Sequence, residues 1–194
     1  MRQTKSARSF LAVRLETPRL VLSWPRAEDI DAIYALAKDR AIHKYLLLPF
    51  PYHLSHARDF ALLGRQENAK GIACHVVIRR RDDGEILGVA GLLHLHSVHR
   101  RSEIGYWLGR VHWGQGYAQE AIGALLQFAF GPLLLHKVYA HTLLGNVRSE
   151  RLLKSVHFQE EGILRGEIKS KGRWRDLKRW GAFQESLYFS KLKP

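Results

Sequence analysis

Trp113-Gly114-Gln115-Gly116-Tyr117-Ala118 stands between two segments of opposite periodicity, and its reading decides the fold. Upstream, Glu103-Ile104-Gly105-Tyr106-Trp107-Leu108-Gly109 reads as a strand. Downstream, Ala121, Ile122, Leu125, Leu126 and Ala129 recur at helical spacing over residues 118–130, until Gly131-Pro132 stops the helix. A strand that enters a glycine loop and leaves it as a helix presents backbone N–H groups without partners at a positive dipole end. A pyrophosphate is a natural guest there. The same spacing also suits a tight turn that only caps a helix, and spacing alone leaves the two readings open. A Gly-x-x-x-x-Gly-Lys-Ser/Thr loop is absent, and the hairpin-like strand order around the stretch argues against a dinucleotide fold.

Outward from that loop the chain alternates strands and helices. Arg19-Leu20-Val21-Leu22-Ser23-Trp24 predicts a first strand. Ile30, Ile33, Tyr34 and Ala37 predict a helix, and Ser55 is the expected N-cap of a second one carrying Ala57, Phe60, Ala61 and Leu63. Strands follow over 72–79, 86–96 and 103–108, the first two joined by the turn Asp82-Asp83-Gly84, and such short connections predict antiparallel pairing. Beyond the 118–130 helix come a strand over 137–142, a helix over 146–156 and strands over 158–166 and 174–183, the last expected to close the sheet. The expected fold class is therefore α/β: one domain over 15–194, preceded by a basic extension over 1–14. Its mixed, mostly antiparallel sheet has about seven strands flanked by about four helices.

The composition narrows the function classes. The 194 residues carry 46% hydrophobic residues, enough for one sizeable core. No stretch approaches the roughly 18–20 apolar residues of a membrane span, and the apolar run Ser9-Phe10-Leu11-Ala12 is shorter than a signal-peptide core. The single Cys74 cannot form an internal disulfide, so the expected compartment is the cytoplasm and no membrane partner is expected. Lys and Arg number 31 against 18 acidic residues, for a net charge of +13, which favours an anionic partner: nucleic acid, ribosome or a phosphorylated ligand.

Taken together, Glu103 to Gly109, the loop Trp113 to Ala118 and Glu120-Ala121 resemble the central motif of the GCN5-related N-acetyltransferase (GNAT) superfamily. Asn146-Val147-Arg148-Ser149, Phe158-Gln159-Glu160-Glu161-Gly162, Gly172-Arg173-Trp174-Arg175-Asp176 and the opening Thr17-Pro18-Arg19-Leu20 follow in the expected order. The resemblance spans nearly the whole chain and is strongest to the branch that acetylates ribosomal-protein N-termini, the RimJ/RimL-like proteins. Two departures stand out: Trp113 occupies a position where the superfamily usually has Gln or Arg, and His157 replaces a turn glycine. A residue at that turn must accept a left-handed backbone.

The resemblance implies a splayed central strand pair, 103–108 against 137–142, into which the pantetheine of acetyl-CoA inserts like an extra strand. Trp107, Leu108 and Gly109 would line it, with a backbone N–H near Leu108 meeting the acetyl oxygen. Trp113, Gly114, Gln115, Gly116, Tyr117 and Ala118 would hold the pyrophosphate, and Asn146 the pantetheine amide. No metal is expected. The acceptor amine must lose its proton before attack, which at pH 7 costs about 1.4 kcal/mol for an α-amine and about 4.6 for lysine. Glu103 is the candidate base, unless it is a solvent-facing partner of Arg100 or Arg101. No tyrosine lies in 149–156, so Ser149 is the candidate acid for the leaving thiolate; Asn146 and Ser149 also have the spacing of a simple helix cap.

Other features carry less. His94 and His96 share one face of a strand and, with His99, Glu103 and His112, could ligate zinc or act as alternative bases, but no tight ligand motif is present. Trp174 and Trp180 sit among basic residues, a pattern that suits nucleic acid as well as mixed burial on an alternating strand. The expected function is thus acetyl transfer from acetyl-CoA to a primary amine, with a ribosomal-protein N-terminal α-amine as leading acceptor. The alternatives are a small amine such as an aminoglycoside or polyamine, and a non-catalytic RNA- or ribosome-binding module. A homodimer accords with family habit.

Overall fold

The computed structural model describes residues 9–185. Most of the expected basic extension and the last residues of the domain lie outside that range. Within it the chain forms one mixed sheet covered on both faces. β1 (Arg14–Glu16), β2 (Leu20–Ser23), β3 (Cys74–Arg80), β4 (Ile86–His96) and β5 (Arg101–Leu108) are successive antiparallel neighbours. β6 (Lys137–Leu143) then runs parallel to β5, and the order ends β6-β8-β7, with β7 (Gln159–Ser170) and β8 (Arg173–Phe183) forming a long hairpin. Helices α1 (Ile30–Ala37) and α2 (Leu54–Lys70) cover one face, and α3 (Tyr117–Phe130) and α4 (Val147–Ser155) the other.

This layering explains the continuous apolar run of β3. Val76 and Ile78 point into the core under α3 and α4, whereas Val77 points into the core under α1 and α2. Alternation alone would have left one of these faces wet. Asp29, almost fully buried at the start of α1, receives two hydrogen bonds from the Arg79 guanidinium at 2.8 and 2.7 Å and so ties that helix layer to β3.

Three sequence expectations are corrected. Among the described residues the sheet has eight strands where about seven were expected, because Arg14–Glu16 pairs with β2; three residues are too few for periodicity to show. Ser55 does not cap α2: the cap is His53, whose backbone N–H donates to His56 Nδ1 at 3.1 Å. The strand over 174–183 does not close the sheet, since β8 is interior and β7 is the edge. Burial decides this order. Leu177, Trp180 and Ala182 of β8 are buried, and Trp180 Nε1 donates to Thr142 Oγ1 at 3.0 Å, while β7 is mostly exposed. His157 takes the left-handed conformation that its turn demands, with φ 67°, and lets the Phe158 N–H donate to Leu153 O and close α4.

Candidate active site

β5 and β6 are paired only at Arg101–Lys137, Ser102–Val138 and Glu103–Tyr139, after which pairing stops. The two strands diverge into a wedge. Its chemistry follows from the β4–β5 register. Gly109 N–H donates to Leu87 O at 2.9 Å, so Gly109, Trp107 and Gly105 turn their backbone groups toward β4. The N–H groups of Leu108 and Tyr106 therefore face the wedge, where no strand meets them. Trp113 Nε1 donates to Leu108 O at 2.9 Å, which satisfies that carbonyl and leaves the neighbouring N–H groups as free donors.

The glycine loop sits at the end of β5. Gly114 and Gly116 have φ of 77° and 79°, which only glycine adopts without strain, and α3 begins directly after them. The aromatic side chains of this loop pack into the fold. Tyr117 is buried beneath the Arg19 guanidinium, which lies 4.7 Å from its ring centroid, and Trp113 packs against both cores. Arg19 Nη1 donates to Gln115 O at 2.9 Å, and Gln115 Nε2 donates to Val111 O at 3.0 Å. The Gln115 carbonyl is thus occupied from behind, while the first N–H groups of α3 have no intrahelical partner. Glu120 completes the arrangement by accepting from Thr17 Oγ1 at 2.6 Å and from Arg19 N and Nε at 2.9 and 2.6 Å. This network explains physically why Thr17-Pro18-Arg19 and Glu120 occur together.

Across the wedge stands α4. Asn146 Oδ1 accepts from the Ser149 N–H at 3.3 Å, so Asn146 does cap the helix. Ser149 Oγ lies 2.7 Å from Tyr106 Oη. Burial pushes the Tyr106 phenol up to about 12, so both hydroxyls stay protonated and either can donate to the other. Arg148 stacks over Trp113 with 4.1 Å from guanidinium carbon to ring centroid. Two side-chain contacts thus link α4 to β5 and to the loop after it.

The opposite face of the splayed pair carries Glu103 from β5 and His141 and Leu143 from β6. With Tyr45, Leu47, His94, Glu167, Ile168 and Leu177 they line a cavity of about 340 Å³. Glu103 pairs here with neither Arg100 nor Arg101 but with His141, Nδ1 to Oε1 3.0 Å. A second opening of about 820 Å³, walled by Leu47–Phe50 and Glu167–Lys171, shares Leu47, Glu167 and Ile168 with the first. Together they form one groove running outward between the α1–α2 connection and the β7–β8 hairpin. Lys171 at the hairpin tip donates to the His43 carbonyl and holds the hairpin to that connection.

Sequence reasoning missed His141 and Tyr106. His141 belongs to no quoted motif and Tyr106 was read only as part of a strand: each acquires its partner only through the pairing that brings β5, β6 and α4 together. The expected shared face of His94 and His96 fails because the β4–β5 register slips between Leu93 and His96. His94 turns toward Glu103, with Nε2 4.0 Å from Oε2, while His96 stacks on His99. Among the described residues no three His, Cys, Asp or Glu side chains gather as a ligand set, and no helix is long and apolar enough to cross a membrane.

Comparison with known proteins agrees with this geometry. Residues 19–159 match the family described as an acetyltransferase (GNAT) domain. The chain is 36% identical to the N-acetyltransferase p20 of Bacillus licheniformis over 164 residues, 84% of this chain and 92% of that protein. It is 28% identical to the [ribosomal protein uS5]-alanine N-acetyltransferase of Escherichia coli over 172 residues, 84% of this chain and 87% of the enzyme. Among solved structures it resembles the spermidine N-acetyltransferase of Vibrio cholerae in complex with CoA and spermine. There the TM-score is 0.77 at 25% identity, covering 89% of this chain and 99% of that one.

Proposed function

Because this chain belongs to the GNAT family and is an N-acetyltransferase that uses acetyl-CoA, we propose that its acceptor is the α-amine of an exposed protein N-terminus, a ribosomal protein being the leading candidate. The observation that carries the reading is the meeting of two openings across the splayed strands. The wedge with its free N–H groups opens toward α3 and α4, and the groove opens on the opposite face. Thioester and amine approach from opposite sides and meet where β5 leaves β6.

In this reading the N–H groups of Gly116, Tyr117 and Ala118 receive the pyrophosphate. Those of Tyr106 and Leu108 receive the pantetheine and the acetyl oxygen, as Trp107 and Gly109 remain engaged with β4. The amine nitrogen bonds to the acetyl carbon, the C–S bond breaks, and the amine gives up a proton. An oxyanion donor of this kind is worth about 3 kcal/mol. Ser149 donates to the departing sulfur. Its own hydroxyl is a much weaker acid than a thiol, so it stabilises the thiolate by hydrogen bonding and does not protonate it outright.

The groove supports a peptide because it is long and changes character. Glu103 and Glu167 line the inner chamber and suit an amine, whereas Leu47, Leu48, Pro49 and Phe50 wall the outer part beside Lys169 and Lys171. A polyamine fits the inner carboxylates but meets like charge further out. The likeness to the spermidine enzyme and those carboxylates favour the polyamine as the second reading. Thiol release from acetyl-CoA with a panel of N-terminal peptides, lysine peptides, spermidine and aminoglycosides separates the two. Peptides are expected to give at least tenfold higher kcat/KM, and faster turnover of spermidine would replace the proposal.

A further inference from the structure

The inner chamber contains a polar atom that none of the described residues satisfies. His141 Nε2 is buried and without a hydrogen-bond partner, although the other ring nitrogen is bonded to Glu103. Leaving a buried polar atom unpaired is costly, so such an atom points to a partner that arrives with the substrate. A carboxylate only accepts hydrogen bonds. Against an ionised Glu103, a neutral ring satisfies this contact with its proton on Nδ1 and so presents the Nε2 lone pair.

From this arrangement we infer that His141 is the catalytic residue that takes the proton from the acceptor amine, and that Glu103 is the positioning residue that aims its ring. The inference rests on the acetyl-transfer reading above, whichever amine is the acceptor. In the step itself, the amine N–H bond breaks, its proton passes to His141 Nε2 directly or through one water, and the ring becomes an imidazolium beside the Glu103 carboxylate. The opposite charge at 3.0 Å stabilises that cation as it forms. As classes, imidazole binds a proton more tightly than a carboxylate by roughly two pH units, which makes the ring the better match for an amine near neutrality. Geometry makes the same distinction. Glu103 Oε1 is engaged by His141 and Oε2 lies toward His94, whereas His141 Nε2 has no competing partner.

The charged and titratable groups around the ring come from every neighbouring element. They are Glu103 on β5, His94 on β4, Tyr139 on β6 with its ring centroid 5.5 Å away, Tyr45 from the α1–α2 connection and Glu167 on β7. Arg179 of β8 lies opposite His141 in the register, but its guanidinium stacks on Tyr139 at 4.6 Å and pairs with Glu161. Among the described residues, the anion bonded to the ring is Glu103.

The test compares the parent protein with His141→Ala, Glu103→Gln and Glu103→Ala on the best amine of the acceptor panel, as kcat/KM against pH, with acetyl-CoA affinity measured by calorimetry. His141→Ala is expected to lose roughly 10²- to 10⁴-fold in kcat/KM, the usual contribution of a positioned base, and to lose the acid limb of the profile. Its acetyl-CoA affinity should stay within about twofold of the parent's, because the ring lies on the acceptor face. Glu103→Gln keeps an oxygen for the Nδ1 proton and should retain much more activity than Glu103→Ala. Parental turnover and an unchanged acid limb in His141→Ala would overturn the assignment and return the base to Glu103. A readout that needs no substrate is the ¹H–¹⁵N long-range spectrum of the ring. It should show the Nδ1–H tautomer in the parent and a mixture in Glu103→Ala, and an Nε2–H tautomer in the parent would equally overturn the inference. Failure of every peptide with turnover of spermidine would instead reject the acceptor proposal while leaving this comparison intact.

Discussion

At the scale of single residues, the hydroxyl pair Tyr106–Ser149 illustrates how one contact converts a weak candidate into a directed group. Ser149 alone is a hydroxyl at a helix start, free to turn toward its own backbone. With the Tyr106 hydroxyl 2.7 Å from it, its oxygen is held in place beside the wedge. If the pair acts in this way, Tyr106→Phe should lower kcat about fivefold, the rate equivalent of one hydrogen bond of about 1 kcal/mol. In a Ser149→Ala background the same change should do nothing. A double-mutant cycle measures the coupling, and equal effects in both backgrounds would show that the phenol serves packing alone. Cys74, by contrast, is a residue without a chemical part here, since burial pushes its thiol up to about 12.

At the scale of elements, the decisive feature is how α3 is anchored. Its dipole and its loop can serve a phosphate only if the helix start is held, and Glu120 holds it to the Thr17–Leu20 turn before β2. Desolvation pushes the Glu120 carboxyl up, but the hydrogen bonds from Thr17 and Arg19 outweigh it and hold the group below its ordinary value of 4.5. A carboxyl lowered by folding stabilises the protein above its unfolded pKa, and that contribution disappears as pH falls through the folded value. Glu120→Gln should therefore cost about 2 kcal/mol at pH 7, or roughly 4–8 °C in Tm, and should narrow the gap to the parent in melts below pH 4.5. A gap that is constant with pH would mean that charge is irrelevant to the anchor. The β7–β8 hairpin plays the matching part on the other face: its tip is tied to the His43 carbonyl by Lys171, so the groove has two walls.

At the scale of the whole molecule, the net charge of +13 acts on a cofactor that carries several phosphate charges. Long-range attraction of that kind raises the association rate and fades as salt shortens the Debye length from about 10 Å at 0.1 M to about 3 Å at 1 M. The expected outcome is a several-fold rise in the KM for acetyl-CoA between low and high salt at nearly constant kcat. A KM independent of ionic strength in stopped-flow and steady-state measurements would remove the basic exterior from cofactor capture. The alternative use of the same charge, attraction of a ribosome or RNA, would leave that KM unaffected.

The sequence by itself determined the order of most elements, the α/β class and the glycine loop, while the cofactor came from the resemblance of its motifs to a known family. These are local properties: periodicity, glycines at left-handed positions, and helix caps within a few residues of one another. The loop from Trp113 to Ala118 was legible for that reason, and so was the left-handed turn at His157. The eighth strand, the interior place of β8 and the slip between Leu93 and His96 were not, because strand pairing is set by which faces become buried and not by the strand's own pattern. The tertiary structure alone decided the site. It ends the β5–β6 pairing at Glu103, turns the Leu108 N–H into the wedge, and sets His141 against Glu103 and Ser149 against Tyr106, across 38 and 43 residues of chain. Contacts at such separations depend on the path of the whole backbone, which no local stretch of sequence records.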